Sequence, residues 1–242
     1  MKSPSPLDSV ALLSGGLDST VALAAAMAEG GEAVLAITAD YGQMAAEREI
    51  EAARRVASAL GVPHRVVPLP FLAEIARGNP LLDSRASLPE PSAAEIEAGG
   101  EATRASAAAV WVPNRNGLLV AVAAAYAEGF GAGRIVTGFN REEAETFPDN
   151  SRAFLEAATA SLALSTRNAV RLESPTADLD KAAIVKLGRS LGAPLEHVWS
   201  CYRSRPAPCG RCESCGRFRR ALREAASLEW FVEKSGQRIW LQ

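Results

Sequence analysis

The sequence predicts an α/β fold: a doubly wound, mostly parallel sheet with helices on both faces, followed by a small C-terminal segment built on four cysteines. Three observations predict it. Short apolar runs alternate with helical patterns through the first half of the chain. The first of these runs ends in a glycine pair that opens a helix. All four cysteines fall between Cys201 and Cys215.

The elements follow in order. Val10-Ala11-Leu12-Leu13 is short and apolar, which fits a buried strand, and Thr20 to Met27 reads as a helix. Ala33 to Thr38 is a second strand. Gln43 to Leu60 is amphipathic, with Ala46, Ile50, Ala53, Val56 and Leu60 at helical spacing, and Gly61 and Pro63 end it. Arg65-Val66-Val67 is a third strand. Residues 77–103 carry three prolines, Gly99-Gly100 and several acids, and read as a long loop, either a lid or a segment without a role. Asn116 to Tyr126 reads as a buried apolar helix, Arg134 to Thr137 as a strand. Ser151 to Leu164 and Asp180 to Leu191 are capped helices. The tail from Glu229 carries Trp230, Phe231 and Trp240, residues suited to covering a core edge or an oligomer contact. The expected division is a domain over 1–196 and a metal-binding segment over 197–242.

At the first junction, Ser14-Gly15-Gly16-Leu17-Asp18-Ser19 joins a strand to a helix. Glycines let the backbone approach a ligand, and free N–H groups at a helix start favour an anion. The Walker A pattern is absent, because no lysine follows the glycines. Asp18 would repel a triphosphate unless a metal ion lay between them. Polar residues also follow the second strand (Asp40-Tyr41-Gly42-Gln43) and the Ile135-Val136 strand (Gly138 to Asn150). Loops beyond strand carboxyl ends form the ligand crevice of such sheets.

Pro113-Asn114-Arg115-Asn116-Gly117 places a guanidinium at the start of an apolar helix, where it needs a partner: an anionic ligand or an acid elsewhere in the fold. Glu142, Glu143, Glu145 and Asp149 crowd one loop, able to hold magnesium, to meet heterocycle N–H groups or to face water. Lys181 lies in a first helical turn, unfavourable for a cation unless an anion is near.

The cysteine spacing is C-x7-C-x2-C-x2-C, with Cys201, Cys209, Cys212 and Cys215 as the thiols. Four thiolates suit a tetrahedral structural zinc site. An iron–sulfur cluster or a sulfur-carrier role is also open. His64 and His197 lie in no motif and read as structural.

Over 242 residues the formal net charge is −2, which argues against general nucleic-acid binding. Seven arginines between Arg203 and Arg223 make a local patch, either a contact for phosphate, RNA or an acidic partner, or a solvated helix face. No apolar stretch is long enough to span a membrane, and the N-terminus has no apolar signal core, so a cytoplasmic enzyme is expected.

Ser-Gly-Gly-x-Asp-Ser resembles the pyrophosphate loop of the ATP pyrophosphatases. Together with Asp40–Gln43, Pro113–Gly117, Phe147-Pro148-Asp149, Lys181 with Ile184-Val185, and Trp199-Ser200-Cys201-Tyr202, it resembles the 7-cyano-7-deazaguanine synthase family over about residues 9–226. The family often has Cys after the Pro-Asp pair; Asn150 stands here, a difference that bears on substrate choice. The resemblance implies an adenine-nucleotide α-hydrolase-like fold and a ligase forming carbon–nitrogen bonds. ATP and ammonia would convert 7-carboxy-7-deazaguanine to the nitrile through adenylate and amide intermediates. It implies catalytic Asp18, Arg115 and Lys181. ATP would lie on Leu12, Leu13, Ser14, Gly15, Gly16, Leu17, Asp18, Ser19, Thr20 and Gln43. The deazaguanine would meet Tyr41, Asn114, Arg115, Asn116, Asn140, Glu142 and Asp149. Structural zinc on the four cysteines, magnesium with ATP, a homodimer and no stable nucleic-acid partner complete the expectation. Rival readings are a tRNA thiolase, an amidating synthetase, a protein-modifying deazaguanine transferase, and a zinc-ribbon nucleic-acid adaptor.

Overall fold

A computed structural model describes residues 8–30, 33–98 and 100–241. The readings for the N-terminal segment, for Gly99 and for Gln242 lie outside the described residues. In chain order the elements begin β1 (Ser9–Leu12), α1 (Leu17–Ala28), β2 (Ala33–Asp40), α2 (Ala46–Ala59), β3 (His64–Pro68) and α3 (Phe71–Ile75). Then come α4 (Ala93–Ala98), α5 (Glu101–Ala109), α6 (Arg115–Phe130), β4 (Arg134–Val136) and α7 (Arg141–Ala144). The chain closes with α8 (Arg152–Ser165), β5 (Arg171–Glu173), α9 (Lys181–Ser190), α10 (Glu213–Glu224) and α11 (Leu228–Ser235).

All pairings in the sheet are parallel, in the order β3-β2-β1-β4-β5. Val10 of β1 lies beside Leu35 of β2 on one side and Ile135 of β4 on the other. Alternation along β1 sends Ala11 and Leu13 into a core with α1 and α2, and Val10 into a core with α6 and α8. This two-faced burial explains why β1 reads as an unbroken apolar run.

A third core lies beyond α1, where α9, α10 and α11 pack around Phe218, Phe231 and Trp240. Helix α1 is thus covered on both sides, which is why its residues from Leu17 to Ala26 are apolar all round apart from its polar first turn. Phe218 meets Phe231 and Trp240 edge-on at centroid distances of 5.1 and 5.2 Å. The tail therefore completes this core, the first of the two roles open to it from sequence.

Three sequence readings change. Residues 77–103 are not a bare loop: they contain α4 and the start of α5, and Leu81 and Leu88 are buried with Tyr41, Leu72, Val110 and Val112. Met44 N–H donates to Leu81 O at 2.7 Å, and the Asn79 amide donates to Trp111 O at 2.8 Å, so the start of the segment is fastened. Helix α6 is only half-buried: Ala123, Ala124 and Ala127 face the core, while Ala121, Ala125 and Phe130 face water. Helix α2 starts at Ala46 rather than Gln43, because the Gln43 carboxamide braces the preceding turn. Among the described residues no helix is long and apolar enough to cross a membrane.

Candidate active site

Strand order reverses at β1. The chain winds outward through β2 and β3 on one side and returns through β4 and β5 on the other. Ligands bind at such a switch point, beyond the strand carboxyl ends. A cavity of about 300 Å³ lies there, lined by the β1, β2 and β4 loops, the start of α6, Lys181 and the 199–202 segment.

The β1 loop is shaped by three glycines. Gly15 has φ +78°, and a Cβ there would lie 2.5 Å from Glu49 O. A Cβ on Gly138 would lie 2.5 Å from Ser19 N, so the β4 loop presses directly on the first turn of α1. Gly16 is the N-cap of α1 and gives it no side-chain cap. The first N–H groups of a twelve-residue helix therefore start at the cavity without a capping side chain, an arrangement that favours an anion. Ser14 and Ser19 hydroxyls lie 3.0 Å apart beside them, and Thr20 turns inward to Gly16 O at 2.8 Å.

Lys181 Nζ donates to Asp18 Oδ2 at 2.8 Å and to Glu143 Oε1 at 2.9 Å. Burial alone would lower the Lys181 pKa, but the two carboxylates outweigh it and hold the amine charged. Burial pushes the Asp18 carboxyl up, against Lys181. Asp18 Oδ1 is buried without a hydrogen-bond partner. An orphaned carboxylate oxygen in an anion cradle is the donor a divalent cation takes.

Arg115 opens α6 after Asn114, which adopts a left-handed φ of 49°. The Asn114 carboxamide folds over Gly117, where an added Cβ would lie 2.2 Å from its Oδ1. Asn114 thus shapes the turn and is not among the cavity-lining residues, whereas Arg115 and Asn116 are. Arg115 donates to the Tyr41 hydroxyl at 3.2 Å, stacks over that ring, and forms no ion pair among the described residues. Asp149 acts on this guanidinium electrostatically without closing an ion pair, so Arg115 keeps donors for an anionic ligand.

The other sequence-chosen residues divide. Leu12, Leu13, Tyr41, Gln43 and Asn140 line the cavity; Gly15, Thr20, Glu142 and Asp149 do not. Gln43 donates to Ala39 O and to Glu49. Asn140 caps α7 through Glu143 N at 2.9 Å, while its Nδ2 is buried without a partner. Burial raises the Asp149 pKa, opposed by Arg115. Glu142 accepts from Arg217 at 3.0 Å and from Arg220, so it faces the cysteine segment. Its neighbour Glu143 holds Lys181 instead. Glu49, Phe147, Ser200 and Tyr202 also line the cavity. Of these, Glu49 was no candidate, since an acid in an exposed-looking helix carries no sequence signal.

The sulfurs of Cys201, Cys209, Cys212 and Cys215 all lie within 4.8 Å of one another, and three of the residues are buried. Cys201 Sγ accepts from Arg203 N at 3.4 Å and Cys209 N at 3.3 Å, and Cys209 Sγ from Cys212 N at 3.3 Å. Such N–H groups favour thiolates, so the set fits a metal ion. The cluster adjoins the cavity: Trp199 N donates to Gly15 O at 2.9 Å, and the Trp199 indole to Cys201 O at 2.8 Å.

The arginine patch is partly drawn into internal ion pairs, while Arg205, Arg211 and Arg223 stay exposed. Arg217 is buried between Glu213 and Glu142, Arg220 bonds Glu142, and Arg203 bonds Glu90. A nucleic-acid surface on α10 loses the charges of Arg217 and Arg220.

Fold and site together define an α/β protein with an anion-suited cavity at the sheet's switch point and a four-cysteine cluster that could hold a metal ion. Residues 8–226 match the family described as "Queuosine biosynthesis protein QueC". A relative from Pelotomaculum thermopropionicum, named 7-cyano-7-deazaguanine synthase, is 52% identical over 90% of this chain and 97% of its own. One of the same name from Desulforudis audaxviator is 52% identical over 90% and 98%. A third, from Methanosarcina barkeri, is 44% identical over 95% and 100%. The chain belongs to the QueC family of queuosine biosynthesis proteins, and with it to the ligases.

Proposed function

We propose that this enzyme converts 7-carboxy-7-deazaguanine and ammonia to 7-cyano-7-deazaguanine, using two ATP. The substrate carboxylate attacks the α-phosphorus of ATP, and the bond to pyrophosphate breaks. Ammonia then displaces AMP to leave the amide. The amide oxygen attacks a second ATP in the same way; loss of AMP and protons leaves the nitrile. Adenylation is needed because oxide is a poor leaving group and AMP a good one.

The observation that carries this reading is the Lys181–Asp18 pair at the uncapped start of α1. The α1 N–H groups and the Ser14 and Ser19 hydroxyls suit the departing pyrophosphate. Lys181, locked between two carboxylates, is a fixed positive charge rather than a nucleophile. Its role is to stabilise charge on the phosphates as it develops. Arg115 suits a phosphate or the substrate carboxylate, with two parallel N–H donors. Magnesium fits Asp18 Oδ1 and would screen the phosphate charge. Zinc fits the four thiolates and would supply folding energy to the 199–215 segment.

The test is product identity. Incubation with ATP, magnesium, ammonium and 7-carboxy-7-deazaguanine is expected to release AMP and pyrophosphate. Release of ADP and phosphate would place the attack at the γ-phosphorus and contradict the reading.

A further inference from the structure

We infer that Glu49 binds the ammonium ion that supplies the nitrogen and takes a proton from it. The inference rests on the ligase reading above. Three carboxylates line the cavity among the described residues: Asp18, Glu143 and Glu49. Lys181 is ion-paired with the first two. Glu49 forms no ion pair among the described residues. Its Oε2 accepts from Gln43 Nε2 at 2.9 Å, and its Oε1 has no partner there.

Gln43 is itself held. Its Nε2 donates to Ala39 O at 3.1 Å, and its Oε1 accepts from Tyr41 N at 3.0 Å. The Glu49 carboxylate is therefore oriented by a braced amide, with one oxygen left for a ligand. A lone carboxylate in a cavity arranged for phosphates is unfavourable until a cation joins it. The groups that act on it are Arg115, Tyr41 and Cys201. Arg115 is bonded to the Tyr41 hydroxyl. A small cation with N–H donors fits the free Oε1.

Near neutral pH the nitrogen source in solution is ammonium, which has no lone pair to attack with. Glu49 accepts one proton and becomes the carboxylic acid; the ammonia released attacks the adenylate carbonyl carbon. The C–N bond forms, the C–O bond to AMP breaks with its electron pair, and the departing phosphate takes the second proton. Burial raises the proton affinity of Glu49, which suits this role.

The test is Glu49→Gln in the full-length, metal-loaded enzyme, with ammonium chloride and ATP varied in turn. KM for ammonium is expected to rise about tenfold or more while KM for ATP moves less than about threefold. In the variant, kcat/KM for ammonium should climb about tenfold per pH unit, tracking free ammonia, where the wild type is flatter. Glu49→Asp keeps the carboxylate and should fall between the two. An unchanged ammonium KM overturns the inference; so does an ATP KM that rises in step, which would assign Glu49 to the nucleotide or its metal. If Glu49→Gln does not fold, Glu49→Asp carries the same two outcomes. A wild type that uses no ATP with this carboxylate contradicts the ligase reading instead.

Discussion

The Lys181 ammonium lies 2.8 Å from an Asp18 carboxylate oxygen and joins the first turns of α9 and α1 in the cavity wall. Each residue is unfavourable alone: a partly buried acid beside an anion site, and a buried cation at a helix start. Paired, they leave one Asp18 oxygen free in the cradle. The proposed chemistry turns on that atom.

Asp18→Asn should fold like the wild type and lose at least about a hundredfold in ATP-dependent turnover, since a neutral amide is a poor magnesium ligand. Steady-state rates over a magnesium titration, with circular dichroism as the folding control, check this. Rates within a few fold of wild type would remove Asp18 from the chemistry.

Glu143 gives a pH prediction with a definite sign. Burial pushes its carboxyl up, but Lys181 and Arg217 pull it further down, below the ordinary glutamate value. A lowered folded pKa contributes stability that is full above the ordinary value and is lost as pH falls through the folded one. Glu143→Gln should therefore be less stable than wild type at neutral pH, with the gap closing in acid. Urea melts at neutral pH and in the acid range measure it; a gap that widens in acid would reverse the assignment.

Gly138→Ala should destabilise by about 1–3 kcal/mol and weaken ATP binding. Its new Cβ would lie 2.5 Å from Ser19 N and 2.6 Å from Asp18 C, backbone atoms that cannot swing aside. Thermal melts and nucleotide titration check both parts. Gly129→Ala, with nothing within 4 Å, is the control.

Metal removal should act on the cavity as well as on stability. Trp199 N bonds Gly15 O, and Ser200 and Tyr202 line the cavity two residues or fewer from Trp199 or Cys201. Elemental analysis is expected to find one zinc per chain. A strong chelator, or Cys212→Ser, should lower the melting temperature and raise KM for the deazaguanine together. Iron in place of zinc, or a fully active metal-free protein, would contradict this.

Much of this was legible in the sequence because local patterns carried it. The β1 run, the glycine pair and the capped helices are properties of neighbouring residues, and the cysteine spacing is a ligand set in itself. Strand β5 was not legible: Arg171-Leu172-Glu173 offers one buried side chain, Leu172, between two charges. Helices α4 and α5 hide among prolines and glycines, and Ser106 is held by Glu213, far away in sequence. The arginine patch read as surface because a count of charge cannot see Glu142 and Glu213. Glu49 enters the site only when the α2 helix packs beside the β1 loop, a relation that no sequence spacing records.

The central claim is tested most directly by mass spectrometry of the products formed from 7-carboxy-7-deazaguanine, ATP, magnesium and ¹⁵N-ammonium. The account predicts a labelled amide that rises and falls, followed by a labelled nitrile. It also predicts about two AMP per nitrile, since each activation forms one acyl- or imidoyl-type phosphate leaving group. Consumption of ATP with neither amide nor nitrile formed would contradict it.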